Sequence, residues 1–301
     1  ECVIRDFTRQ VCVEAQICGE LAAAWDWTIY EWRLIGIMQE NRTLQFRYCM
    51  SLEFSEPVWK HQFALRMIPQ TDDRQTISAC RIDLKPECDY SDSVDSFGNR
   101  YIYGEIDRLH NEFCVEVSGE AAVRKDTQLA CDNKMIELAP YRFPSQYTKA
   151  GDALKKYYRL HGLREGEGVL AFAARLLHQI YEDMEYVQGV TDIRTTAEEA
   201  LAGKRGVCQD YAHIMLALCR IADIPSRYVV GMMQGEGFSH AWVEVCADGR
   251  WYGIDPTNDQ VVDDTYIKIS HGRDYQDCIV NRGTFRGGGM QTQRVEVVVT
   301  V

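Results

Sequence analysis

At 301 residues, with 46% hydrophobic and 26% charged residues, the chain has an ordinary globular composition and enough length for two cores. Its net charge of -12, without any useful Lys/Arg run, excludes nucleic acid as a main partner, because phosphate binding needs a clustered basic surface. The charge is read as solubility, with a mild preference for cationic substrates.

Residues 1–43 are an unassigned N-terminal extension. Its most apolar stretch, 21–38, fits a helix with Trp25, Ile29 and Trp32 on one stripe. Asp26, Glu31 and Arg33 interrupt it, so it does not meet the ~20 largely apolar residues of a membrane span. No membrane partner is expected. From Leu44 the pattern alternates: Leu44, Phe46, Tyr48, Met50, Leu52 and Phe54 face one way, as in a half-buried strand. Further short strands are expected at 63–67, 80–84, 101–103 and 113–117, punctuated by Pro69, Asp72-Asp73, Pro86 and Ser96-Phe97-Gly98-Asn99. Residues 44–125 are therefore expected to form an antiparallel β-sandwich, a separable domain that contributes no catalytic group. Residues 126–150 are read as a linker, broken by Pro140 and Pro144.

Residues 151–301 are expected to be an α+β catalytic domain. Helical periodicity covers 153–160 and 169–186, and a short helix at 195–202 is capped by Thr195 or Thr196. Strands are expected at 226–232, 240–245, 251–254 and 295–301. Twelve cysteines contain no CxxC pair, which argues against a structural metal cage. Most are read as reduced, buried small hydrophobes, which implies a cytoplasmic location.

The chemistry concentrates around Gly206-Val207-Cys208-Gln209-Asp210. A helix is expected to start there and run to about Ala222, placing Cys208 in its first turn. Free N–H groups and the positive dipole end at such a position favour a thiolate and can hold an oxyanion. Cys219, mid-helix on an apolar stripe, is expected to be inert. His240 is the candidate base, lying on one strand face with Trp242 and Glu244 while Ala241, Val243 and Val245 face the other. A two-residue hairpin turn at Asp248-Gly249 would set Trp242 opposite Asp255. His240 and Asp255 would then be diagonal neighbours on one face.

The runs Gly-Val-Cys-Gln-Asp-Tyr-Ala at 206–212, His-Ala-Trp-Val-Glu-Val at 240–245 and Asp-Pro-Thr-Asn at 255–258 resemble the three core motifs of bacterial transglutaminase-like proteins. That family is often described as cysteine proteases. Arg227-Tyr228-Val229-Val230-Gly231, Gly272-Arg273-Asp274-Tyr275, Asp277 and Arg282-Gly283 match it further. Phe54-Ser55-Glu56-Pro57 and Asp95-Ser96-Phe97-Gly98-Asn99 match its N-terminal β-domain, so about 44–301 is covered. The short stretch from Gly231 to His240 departs from the pattern and suggests a small loop, not an elaborate lid. The resemblance implies a papain-like, transglutaminase-like core with Cys208, His240 and Asp255 as nucleophile, base and orienter. Gln209 and Trp242 are candidate substrate or oxyanion contacts. It implies acyl transfer on amide bonds of a protein or peptide substrate, most simply by hydrolysis, without metal or other cofactor. Protein-glutamine transamidation and a non-catalytic binding module are the alternatives, and the oligomeric state stays open.

Overall fold

The alternating run that opens near Leu44 folds as one long strand, β1 (Arg42–Leu65), with all six of its predicted inward residues buried. The computed structural model describes residues 41–125, 128–131 and 135–301; the apolar stretch at 21–38 lies outside the described residues. β1 does not stop at Ser55-Glu56-Pro57. Pro57 falls where the pairing register shifts between Glu53 and Val58, a break in the ladder where its missing N–H is tolerated. Lys60, at φ 47°, adds a second bend before the strand resumes.

Four strands follow in the N-terminal part: β2 (Gln75–Lys85), β3 (Tyr90–Val94), β4 (Arg100–Ile106) and β5 (His110–Val123). After the short β6 (Leu129–Ala130) comes α1 (Met135–Arg142), which runs through Pro140 where a linker was expected. Tertiary packing explains it: Leu138 and Tyr141 bury against Cys246 and Trp251, and Cys131 is disulfide-bonded to Cys246. Two thiols expected to be reduced are thus paired.

The helices α2 (Asp152–His161) and α3 (Val169–Asp183) lie close to their expected positions. β7 (Glu185–Tyr186) ends the apolar run earlier than a helix to 186 would. α4 (Ala197–Gly203) is capped by Thr196, whose hydroxyl accepts from the Glu199 N–H while the Glu199 carboxylate accepts from the Thr196 N–H. The short β8 (Arg205–Gly206) leads into α5 (Cys208–Ile221), buried from Asp210 through Arg220. The remaining strands are β9 (Ser226–Met233), β10 (Gly235–Gly237), β11 (His240–Ala247), β12 (Arg250–Asp255), β13 (Gln260–Val261), β14 (Tyr266–Gly272), β15 (Asn281–Arg286) and β16 (Gln291–Thr300).

These strands make two main sheets. A six-stranded antiparallel sheet runs β13-β12-β11-β9-β14, with β6 on β12. Its Ala241, Val243, Val245, Tyr228 and Val230 pack on α5. On the other face Glu244 is buried between Arg227 and Lys268, paired with both.

The second sheet is eight-stranded and antiparallel, continuous through β1, and it takes in strands from beyond the expected 44–125 domain. The first half of β1 lies between β5 and β16, and its second half pairs with β4 and β15. Strands from the C-terminal part therefore complete the N-terminal sheet, and residues 41–301 form one compact unit. The two parts also share a core: Met232, Ile267 and Ile269 from β9 and β14 cluster with Phe46, Tyr48, Met50 and Val297.

Candidate active site

α5 begins at Cys208 because Val207 is extended and the preceding turn is tied back onto it. The buried Asp210 carboxylate accepts from the Val207 N–H at 2.8 Å and from the Thr191 hydroxyl at 2.7 Å. Burial pushes the Asp210 carboxyl up, and those two hydrogen bonds oppose the rise. A Cβ at Gly206 would lie 2.5 Å from Asp210 Oδ2, so the glycine of the motif leaves room for this clasp. Cys208 itself is partly exposed, whereas Cys219 is buried and its thiol is pushed up to about 12 by that burial.

His240 and Asp255 come together through the predicted hairpin. Ala247 pairs with Arg250 and Val243 with Ile254, so the connection is the two-residue turn Asp248-Gly249. Both turn residues have positive φ, 47° and 72°, as a tight primed turn requires. The register carries on to bring Asp255 beside His240, whose Nε2 donates to Asp255 Oδ2 at 2.7 Å. Asp255 is fully buried, and the His240 side chain is only 12% exposed.

Around Asp255 stands a set of donors that the sequence reading did not identify. Asn258 Nδ2 donates to Oδ2 at 2.7 Å, the Tyr266 hydroxyl donates to Oδ2 at 2.8 Å, and the Thr257 N–H donates to Oδ1 at 3.0 Å. Tyr266 is fixed in turn by Gln260. Burial would raise the Asp255 carboxyl, yet hydrogen bonding by His240, Asn258 and Tyr266 holds it below its ordinary value. Asn258 belongs to the Asp-Pro-Thr-Asn run and was within reach of sequence reasoning. Tyr266 arrives from β14 by long-range packing, for which no local signal exists.

Burial alone would lower the His240 imidazole. Hydrogen bonding to Asp255 and Cys208, with the charges of both, outweighs it and pushes the group up to about 10 from an ordinary 6.5. Cys208 thus lies near enough to His240 for its charge to act on the imidazole. A group that is more basic when folded stabilises the fold fully below its unfolded value and loses that contribution as pH rises through its folded value. The stability margin of the wild type over His240→Gln should therefore shrink as pH climbs from 6.5 toward 10. Thermal unfolding of both proteins across that range measures it; a constant margin would mean that the pair adds nothing to folding.

Of the two auxiliary candidates, Gln209 sits partly exposed in the first turn of α5 beside Cys208. Trp242 is placed otherwise. It is 1% exposed, packed with Val229, Val262 and Tyr266, and stacked near His240 at 6.4 Å between ring centroids. So buried a ring offers no surface to a substrate; it is a platform beneath the imidazole. Tyr186, half exposed, is close enough for the Cys208 charge to raise its hydroxyl, after the larger effect of burial. Among the described residues no cluster of His, Cys, Asp and Glu has the arrangement of a metal site. None of the described helices is long and apolar enough to cross a membrane.

Comparison with known proteins bears on the whole arrangement. Residues 161–256 match the family model of the transglutaminase-like superfamily, and residues 44–122 match that of the bacterial transglutaminase-like N-terminal region. An uncharacterised protein of Mycobacterium leprae is 29% identical over 258 residues, spanning 78% of this chain and 90% of the relative. An uncharacterised Mycobacterium tuberculosis protein is 40% identical over 124 residues, 36% of this chain and 40% of that one. Mouse kyphoscoliosis peptidase is 29% identical over 115 residues, 35% of this chain and 17% of the peptidase. A crystal structure from Cytophaga hutchinsonii, named a "putative cysteine protease", superposes with TM-score 0.72 at 22% identity, covering 87% of this chain and 91% of the other. That likeness establishes a shared fold across both the β-rich N-terminal part and the core. The chain belongs to the transglutaminase-like superfamily, carrying its core together with the bacterial transglutaminase-like N-terminal region.

Proposed function

We propose that the protein is a thiol-dependent acyl-transfer enzyme acting on amide bonds of protein or peptide substrates, with Cys208 as nucleophile, His240 as base and Asp255 as orienter. The observation that carries this reading is the buried 2.7 Å hydrogen bond from His240 to Asp255, with Cys208 at a helix start near enough for its charge to act on the same imidazole. Cys208 sulfur attacks the amide carbonyl, and the thiol proton passes through His240 to the leaving amine. A thioester on Cys208 remains. Asp255 holds the imidazole in the tautomer that this shuttle needs. First-turn N–H groups, with that of Gln209 among the candidates, face the developing oxyanion.

Water is the preferred acceptor. A cross-linking enzyme must dock an amine and exclude water, and no described segment is assigned to either task. The likeness to a mouse protein named a peptidase points the same way. The location expected from the sequence was cytoplasmic; the Cys131–Cys246 disulfide weighs against it, since such bonds persist mainly in oxidising compartments.

Limited iodoacetamide labelling with peptide mapping tests the nucleophile. Cys208 should react first, ahead of the buried Cys219 and Cys278, and Cys208→Ala should remove that reaction. Preferential labelling of Cys219 or Cys278 in the native protein would overturn the assignment. Mass analysis of peptides incubated with the enzyme then separates the acceptors, because hydrolysis adds water and transamidation releases ammonia.

A further inference from the structure

Between β7 and α4 the chain runs through the loop 187–195. At the base of the loop, β7 and β8 pair in parallel with Tyr186 opposite Gly206, and the Val187 N–H donates to the Gly206 carbonyl at 2.9 Å. At its far end the loop closes on itself: the Asp192 N–H donates to Thr195 Oγ1 at 3.0 Å, and the Thr195 N–H donates to the Asp192 carbonyl at 3.1 Å. Its middle is held by a side chain. The Thr191 hydroxyl donates to Asp210 Oδ2 at 2.7 Å, and the same oxygen accepts from the N–H of Val207, the residue directly before Cys208, at 2.8 Å.

The two capped helices of this region show why that carboxylate is unusual. At α4 the bond from a third-position carboxylate back to the N-cap N–H is made by Glu199, which is exposed. At α5 the same bond is made by Asp210, which is 1% exposed. Burying a carboxylate costs free energy that an exposed cap avoids, so capping alone does not account for the site. Asp210 Oδ1 is also buried and has no hydrogen-bond partner among the described residues. Everything that Asp210 holds is therefore held through Oδ2, where the loop and the nucleophile turn meet.

We infer that Asp210 and Thr191 are positioning residues for Cys208: through one shared oxygen they fix Val207, and with it the thiol that opens α5, against the 187–195 loop. The inference rests on the proposed Cys208–His240 pair and adds to it the device that sets the direction of the thiol. Helix geometry places Cys208 in a first turn, but a first turn frays unless its entry is tied. The tie comes from a hydroxyl on a separate loop, so the loop and the nucleophile move as one.

The test compares wild type with Thr191→Val, Thr191→Ser, Asp210→Ala, Asp210→Asn and His240→Ala. The readout is the rate of Cys208 alkylation by iodoacetamide against pH, with thermal unfolding of each sample. Thr191→Val should slow alkylation at mildly acidic pH about fivefold, the scale of one hydrogen bond, and displace the profile toward that of His240→Ala. Thr191→Ser should restore the wild-type profile, since it returns the hydroxyl; a packing role would follow the methyl instead. Asp210→Ala should slow alkylation more than Thr191→Val. Asp210→Asn should recover most of that loss, because its oxygen can serve both donors while its NH₂ takes the unpartnered Oδ1 side. The Thr191 variants keep the carboxylate and decide the matter even if Asp210→Ala does not fold. A wild-type profile for Thr191→Val, a Thr191→Ser as slow as Thr191→Val, or an Asp210→Asn as slow as Asp210→Ala would overturn the inference while leaving the Cys208–His240 pair in place. An unchanged profile for His240→Ala would instead remove the pair itself, and with it the role given to Asp210 and Thr191.

Discussion

Asp255→Asn should lower turnover of any peptide that the wild type cleaves by about 10²–10⁴-fold, as expected when a carboxylate that sets the imidazole tautomer is lost. The reason lies in the donors around it. Asp255 Oδ2 accepts from His240, Asn258 and Tyr266, and Oδ1 accepts from the Thr257 N–H. An amide has one acceptor oxygen and one donor nitrogen. If its oxygen takes the Oδ2 position, its NH₂ faces the Thr257 N–H; if reversed, the NH₂ faces three donors. Either way a donor meets a donor at a fully buried site, with a cost of about 1–3 kcal/mol in stability. In the reversed orientation His240 also loses the acceptor that keeps its Nε2 proton in place, and in the other it keeps only a neutral one in place of a carboxylate. Turnover and thermal unfolding on one sample separate the two effects. Undiminished turnover in a folded variant would remove Asp255 from the mechanism.

The parts of this site that are local in sequence were legible there. Cys208 at a helix start follows from the break at Lys204-Arg205-Gly206. The pairing of His240 with Asp255 follows from counting residues across Asp248-Gly249, where a tight turn admits one register. The resemblance motifs held further parts whose purpose only the structure gives: Gly206 makes room for Asp210, and Asp210 ties the turn before Cys208 to Thr191. What stayed illegible depends on distant chain. Tyr266 reaches Asp255 because β14 lies along β9, and no spacing rule encodes that. Trp242 shares a face with His240, as the alternation requires, but both faces of this sheet are buried, so facing the same way did not mean facing a substrate. Pro140 was read as a break because proline usually is one, yet it sits in a helix held by its apolar contacts.

The sheet shared through β1 bears on what can be cut away from the N-terminal side. A chain beginning near Ala139 should fail to fold. It would lack β1, and with it the strand partner of both β15 and β16. β10 pairs only with β16 among the described residues, so the segment before His240 would be left on an unsupported strand. The apolar face built by Met232, Ile267, Ile269, Val297 and Val299 would lose Leu44, Phe46, Tyr48, Met50, Leu52 and Phe54 as cover. Each such side chain contributes about 1.5–3 kcal/mol when fully buried, so losing six removes about 9–18 kcal/mol, as much as the whole ~5–15 kcal/mol by which a domain is stable. The fragment should lack a cooperative unfolding transition by circular dichroism and show no preference for Cys208 over Cys219 on alkylation. A fragment that melts cooperatively and still labels first at Cys208 would show that the core stands alone. The N-terminal sheet would then be an appendage. The expected result makes it a wall of the core, without which the helix bearing Cys208 and the strand bearing His240 have no fixed relation.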